Sequence, residues 1–279
     1  CMTSGCLTRT FPEDRRTKSE QTSSLRTPML SQGRPCQARR PCSPSDFLTV
    51  NTFLVNTGEK LVLLDAGGAK LLGPTAGRLP QCLAAAGIAP AQIDEIYITH
   101  MHGDHLHGTV APDGSAMFPN ATLRIAQEDM DYWGNPEVEA KAPDNQKSRF
   151  IPAKRAIAAY GNRLKPFKLG EELTPGIRSV EAVGHTPGHS CYLIQSGQSR
   201  LLAIGDTMHV APVQFPRPDI TVAFDGFRAL NKLTLTLEHF DSYCWLIILC
   251  CTKCLALFCW DGCVFVDDLS HDTTQCFDP

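Results

Sequence analysis

Between residues 46 and 226, short apolar runs alternate with stretches of helical period. Segments 47–56 and 60–65 are rich in Val, Leu and Phe and flank Thr57-Gly58-Glu59, which predicts two strands joined by a turn. Residues 79–86 have helical character and stop at Gly87 and Pro90. Strand-like runs recur at 95–99, 122–126, 177–183, 191–195, 200–204 and 220–224. A helix begins at 127–133, and 145–160 is helical in character, with Pro152 expected to interrupt it. This order suits an α/β (α+β) fold of two sheets packed face to face with helices outside.

Polar residues collect where three of these runs end. The first leads into His100-Met101-His102-Gly103-Asp104-His105, which holds four potential metal ligands in six residues. Neutral imidazole with carboxylate is the donor set preferred by zinc and its first-row neighbours. His100 and His102 are two apart, so in an extended segment they point the same way. The chain then turns at Gly103, so one loop can offer two ligands to one ion and two, Asp104 and His105, to a second. Segment 177–183 leads into Gly184-His185-Thr186-Pro187-Gly188-His189, and 201–204 leads into Gly205-Asp206. Taken singly, Asp206 is a residue type that caps helices and turns. His189 reads as a structural neighbour of the site rather than a ligand.

Together, in this order and at roughly these separations, the motifs resemble the metallo-β-lactamase-fold hydrolase superfamily. Asn51-Thr52-Phe53-Leu54-Val55, Leu64-Asp65-Ala66-Gly67 and Phe118-Pro119-Asn120-Ala121 also match, and the resemblance runs from about Phe47 to Gly226. The stretch VQFPRPDITVAFD at 213–225 resembles the branch with methyl parathion hydrolase-like and lactonase-like enzymes. The resemblance implies a four-layer αββα sandwich, incomplete at both ends, and two divalent metal ions, Zn2+ foremost. His100, His102 and His185 would hold one ion, Asp104 and His105 the other, and Asp206 would bridge them. Asp65 would brace the loop from behind. His107 stands where many relatives have Gly and receives no metal role; it reads as a solvent-facing loop residue. Trp133, Phe118, Tyr132 and Phe215 are candidates for an apolar substrate wall, or ordinary core and surface aromatics.

The implied chemistry is hydrolysis of an ester, lactone or phosphotriester. A water shared by two cations about 3.5–4 Å apart is acidified to a pKa near ~7, and Asp104 would orient the resulting hydroxide as the catalytic side chain. Alternatives are a glyoxalase II-like thioester hydrolase, a truncated metal-binding domain of little activity, and a nucleic-acid-processing member. The matching region has no Gly-x-Ser-x-Gly elbow, and no Gly-x-x-x-x-Gly-Lys-Ser/Thr phosphate loop occurs. A net charge of −3, with no basic stripe interleaved with aromatics, argues for a small-molecule ester-type substrate over nucleic acid.

Composition separates the centre of the chain from its ends. Of 13 cysteines only Cys82 and Cys191 lie between 47 and 226, which marks both ends as foreign to the middle. Residues 1–45 are rich in Ser, Thr, Arg and Pro without a sustained period, and are expected to be a disordered extension. No apolar core follows a basic start, so no secretory signal is expected and the cytoplasm is favoured. Residues 227–279 form a Cys-rich apolar tail. The family's last metal ligand, a His after a further strand, would fall near 250, where Ile247-Ile248-Leu249-Cys250-Cys251-Thr252-Lys253-Cys254 has none. His239 and His271 lack the strand-then-loop setting. Segment 243–266 is interrupted by Lys253, Asp261 and Gly262, which argues against a membrane span, and Cys251-x-x-Cys254 has no matching pair for a zinc cluster. The tail, like the start at Cys1, is expected to reflect sequence that does not belong to the domain, or a fragment.

Overall fold

The computed structural model describes residues 2–8, 48–74, 76–197, 199–209, 214, 217, 220–222, 225–226 and 245–248. One sheet has six strands, in the order β1 (Met2–Thr8), β2 (Leu48–Asn56), β3 (Leu61–Leu64), β4 (Glu95–Tyr97), β5 (Thr122–Ala126) and β6 (Leu164–Phe167). Only β2 and β3 pair antiparallel; the other neighbours are parallel. The second sheet has five: β7 (Glu172–Thr174), β8 (Ile177–Glu181), β9 (Ser190–Ser196) and β10 (Ser199–Ala203) in antiparallel order, then β11 (Trp245–Ile248) parallel to β10.

The central strands of the first sheet are covered on both faces, which is why they read as continuous apolar runs. Val62, Leu64, Tyr97 and Ala126 point to one side, where they pack with Phe167, Leu173, Ile177, Tyr192 and Ala203. This layer joins the two sheets. Leu63, Ile96, Leu123 and Ile125 point to the other side, against helices. Those helices are α1 (Leu79–Ala85), α2 (Gly103–Leu106), α3 (Gln127–Trp133), α4 (Pro136–Lys141) and α5 (Ile151–Tyr160). In α5 the buried Ala153, Ala156 and Tyr160 fall three and four apart, the spacing of one helix face. Cys191, Leu202 and Ile204 form a third cluster with Ala182 and Met208, separate from the layer between the sheets. A helical layer beyond the second sheet is not among the described residues.

Several expectations shift. Pro152 does not interrupt a helix but stands in the first turn of α5, after a 3-10 helix at Asp144–Phe150. There its missing N–H would have had no intrahelical partner anyway. Residues 220–222 are not a strand. The Asp225 carboxylate accepts the Val222 N–H at 2.8 Å, and Asp225 N–H donates to the Val222 carbonyl at 3.2 Å, so the chain turns instead. Within the stretch expected to be disordered, Met2–Thr8 forms β1, an edge strand held by backbone pairing with β2, which needs no side-chain pattern. Trp245–Ile248 of the tail pairs beside β10; His239, His271 and the Cys251–Cys254 pair lie outside the described residues. No helix among the described residues is long and apolar enough to cross a membrane.

Candidate metal centre

Three strand ends deliver the polar residues to one place. Thr99 to His105 follow β4, His185 lies in the loop between β8 and β9, and Asp206 follows β10. Two hydrogen bonds lock the sheets together beside them: Tyr192 Oη donates to the Ile98 carbonyl at 2.7 Å, and Ser190 N–H to the Thr99 carbonyl at 2.9 Å. Gly205, at φ 52°, makes the bend that presents Asp206. A Cβ there would lie 2.8 Å from His189 Nε2 and 3.0 Å from Thr99, so only glycine fits.

The donors converge closely. His102 Nδ1 faces His185 Nε2 at 2.8 Å. Asp206 Oδ2 lies 3.5 Å from His185 Nε2 and 3.9 Å from His100 Nε2, while Oδ1 lies 3.1 Å from His105 Nε2. Asp104 Oδ2 is 3.7 Å from the same His105 nitrogen. Two donors held at ~2.1 Å from one zinc ion can be at most ~4.2 Å apart, and all these separations lie within that bound. Groups able to hold an ion among the described residues are His100–His102–His185, His100–His105–Asp206 and His185–Asp206–His209. Five of the six expected ligands therefore come together. Asp104 stays outside every three-donor group, with a side chain 27% exposed.

The far nitrogens of His100, His105 and His185 are occupied, which orients each ring. His105 Nδ1 meets Asp65 Oδ2 at 2.8 Å, and His185 Nδ1 meets Asp225 Oδ1 at 2.9 Å. Thr99 donates both its N–H and its hydroxyl to Asp65, so its oxygen is left to accept from His100 Nδ1 at 3.0 Å. With Nδ1 bonded outward, Nε2 of all three rings is the nitrogen turned toward the centre. Nε2 of His100 and of His105 is buried with no hydrogen-bond partner. Orphaned buried polar atoms are costly, and a cation satisfies such nitrogens once any proton on them is displaced. The residues present thus fit a divalent metal. Asp65 supports this loop as expected, from a left-handed backbone (φ 57°) that Asp tolerates better than most residues.

Electrostatics divides the cluster. Burial, reinforced by neighbouring imidazoles, holds His100 and His102 well below the usual histidine range. Burial alone would depress His105 too, but the carboxylates of Asp206, Asp65 and Asp104 outweigh it and raise it well above that range. Burial tends to raise Asp206, yet His105, His209 and His100 pull it well below the usual carboxylate range.

Four further residues have roles that their contacts in the fold define. His189 is structural, as its setting suggested: Nδ1 bonds the Ala182 carbonyl at 3.1 Å and Nε2 accepts the Asp206 N–H at 3.0 Å. Asp129, on α3, accepts Met101 N–H through Oδ2 and Gly188 N–H through Oδ1, both at 2.7 Å. It clasps the two ligand loops together. A Cβ on Gly188 would lie 2.5 Å from Asp129 N, so this approach also requires glycine. Burial pushes the Asp129 carboxyl up to about 6. In the sequence Asp129 looks only like an acid in a first helical turn, and Asp225 only like the end of an apolar run. His209 had a visible signal, a histidine three residues after Asp206. It is buried, with Nε2 3.1 Å from Asp206 Oδ2.

Of the proposed aromatic wall, Trp133 sets its ring edge-on to His102 at 5.2 Å, and Tyr132 stacks on Phe150 at 5.9 Å. Phe118 is core, 1% exposed, because the apolar segment around it closes over the helix-covered face; Phe215 lies outside the described residues. His107 is half-buried against Arg155 rather than facing solvent, and belongs to none of the donor groups.

Comparison with known proteins gives consistent matches. A family model described as the metallo-beta-lactamase superfamily matches residues 45–240. Among solved structures, the chain is similar to the hydrolase AbOPH of the beta lactamase superfamily, with 33% identity, a TM-score of 0.61 and 70% of each chain covered. It is also similar to AidC, a dizinc quorum-quenching lactonase in complex with a product, with 28% identity, a TM-score of 0.59 and 64% of this chain and 63% of that one covered. Ribonuclease Z of Bacillus licheniformis is 26% identical over 164 residues, 50% of this chain and 52% of that protein. The atrochrysone carboxyl ACP thioesterase nsrC of Aspergillus novofumigatus is 23% identical over 199 residues, 71% of this chain and 44% of that protein. The chain spans about half the length of these curated relatives.

Proposed function

The chain belongs to the metallo-β-lactamase superfamily, and on that premise we propose that it is a metal-dependent hydrolase of small ester-type substrates. In this reading His100, His102 and His185 hold one divalent ion, Asp104 and His105 serve a second, and Asp206 lies between them. The observation that carries it is the set of three imidazoles whose Nδ1 atoms are bonded outward to Thr99, Asp65 and Asp225 while their Nε2 atoms converge on Asp206. Such preset rings meet a cation without reorganising.

When bound, two zinc ions supply an acidified water and polarise a carbonyl or phosphoryl oxygen. The chain's own groups do the rest. Asp104, a carboxylate with a side chain 27% exposed, is the acceptor that would orient an incoming water. His100 and His102 stay neutral at neutral pH because burial disfavours their charged forms, so no proton competes for their lone pairs. Trp133, buried at 6% exposure and edge-on to His102, backs that ring and limits its movement.

Similarity to AidC, a dizinc lactonase, supports zinc, a two-ion centre and a lactone or ester as substrate. A second reading, RNA processing, draws on the similarity to ribonuclease Z. The ester reading is favoured because the likeness to the lactonase AidC, at 28% identity over 64% of this chain and 63% of that one, covers more of both proteins than the likeness to ribonuclease Z, at 26% over 50% and 52%. The chain's net charge of −3 also offers phosphates little attraction. The test is metal analysis of the purified protein with a panel of lactones, aryl esters, thioesters, aryl phosphotriesters and RNA. Two zinc ions with ester or lactone turnover, both lost in Asp206→Asn, are expected. Unchanged metal content and unchanged hydrolysis in that variant would overturn the assignment, and RNA cleavage without ester cleavage would favour the second reading.

A further inference from the structure

We propose that His209 is a positioning residue for Asp206: it holds the carboxylate plane so that Oδ2 faces the His185 side and Oδ1 faces His105. The inference rests on the two-ion reading above. Asp206 is the residue common to the His100–His105 and His185–His209 donor groups. A carboxylate that would serve two ions needs a fixed plane, yet the terminal torsion of an aspartate has a broad, shallow preference. Something must therefore fix the plane. His189 anchors the backbone of Asp206, through its N–H at 3.0 Å, but does not touch the carboxylate plane. His209 does: its Nε2 is 3.1 Å from Oδ2, the oxygen that also lies 3.5 Å from His185 Nε2. A carboxylate oxygen has two lone-pair sites, so accepting this bond leaves the other free for a cation.

The histidine is itself held. It is 6% exposed, and its backbone N–H donates to Gln214 Oε1 at 2.8 Å. The Gln214 amide in turn donates to the Ile220 carbonyl at 3.0 Å. The same stretch of chain then reaches Asp225, which bonds His185 Nδ1, and Gly226 N–H donates to the His185 carbonyl at 3.2 Å. His209, Gln214, Asp225 and Gly226 thus support two neighbouring groups of the centre from outside, Asp206 through His209 and His185 through Asp225. His209 shares a donor group with His185 and Asp206 but not with His100, which places it outside an ion held by His100, His102 and His185. It acts through Asp206.

The test uses the full chain loaded with Co2+, comparing wild type, His209→Leu and His209→Gln by stepwise metal titration and by the magnetic coupling between the two cobalt ions. His209→Leu is expected to weaken the second ion by roughly 10–100-fold, the range for outer partners of ligands, and to diminish the coupling. His209→Gln, whose amide can still donate to Oδ2, should recover most of both. A purely packing role would lower the melting temperature of both variants without changing the coupling. Should His209→Leu fail to fold, His209→Asn, whose shorter amide cannot reach Oδ2, takes its place. Two-ion binding and coupling of wild-type strength in the Leu variant, or in the Asn variant where it replaces Leu, overturn the role of His209 alone. A wild-type protein that does not take up two ions overturns the two-ion reading and this inference with it.

Discussion

On the Oδ2 side of Asp206 stand His100, His102 and His185, imidazoles clustered with ring centroids 4.6–4.7 Å apart. On the Oδ1 side His105 is surrounded by Asp65, Asp104 and Asp206, and the Asp104 side chain is 27% exposed. Three clustered imidazole nitrogens favour a tightly held borderline-soft cation. A charged, open cluster attracts a cation over distance but shares it with water. The two sides are therefore expected to differ: a first ion that stays through purification, and a second that exchanges and leaves room for water and substrate.

His185→Ala should produce the largest change, because it removes a donor from the three-imidazole side: the tight ion is expected to weaken by more than ~100-fold, beyond the range of outer-partner changes. His105→Ala should spare that ion and lose only the weaker one. Stepwise zinc titration against a chelator reads both, and loss of both ions in His105→Ala would break the distinction.

The outer carboxylates sharpen it. Asp225→Asn should weaken the His185-side ion by roughly 10–100-fold and Asp65→Asn the His105-side ion by a similar factor, each leaving the other side near its original affinity. Equal loss on both sides from either substitution would mean that the centre behaves as one unit. Asp129→Asn is the control that touches both loops. One of its two acceptors becomes an amide facing an N–H, at a cost of about 1–3 kcal/mol in denaturant unfolding, and both ions should weaken together. The smallest effect concerns pH. Burial lowers His189 to about 3, against an ordinary value of 6.5. The unfolded chain therefore takes up a proton that the folded one refuses, so this stability is full above pH 6.5 and is lost as pH falls toward 3. In the metal-free protein, His189→Gln should reduce the loss between pH 6.5 and 5.5 by about 1 kcal/mol. An unchanged slope would show that His189 is not held neutral.

Much of the site was legible because its ligands are local. Residues 100–105 form one loop after one strand, and His185 and Asp206 each follow an apolar run, so strand ends and chemistry coincide along the chain. Asp65 was legible for the same reason. The clasp of Asp129 was not: it spans 28 residues to Met101 and 59 to Gly188, and nothing local separates it from an ordinary first-turn acid. In the fold, β2 to β5 follow their apolar runs closely. β6 and β7 escaped notice, one an edge strand that carries Pro166 and the other only three residues long, both too weak to stand out from loops.

By itself the sequence located five of the donors that come together, His100, His102, His105, His185 and Asp206, with their order along the chain and the strand ends that carry them, since residue type and local period are properties of neighbours. Tertiary structure alone decided which nitrogen of each histidine turns inward, which oxygen of Asp206 faces which side, and that His209 and Asp225 reach the centre. Most of those outcomes depend on partners distant in the chain, 40 residues apart for Asp65–His105 and His185–Asp225 and 83 for His102–His185, and only the packing of two sheets brings such partners within hydrogen-bond distance.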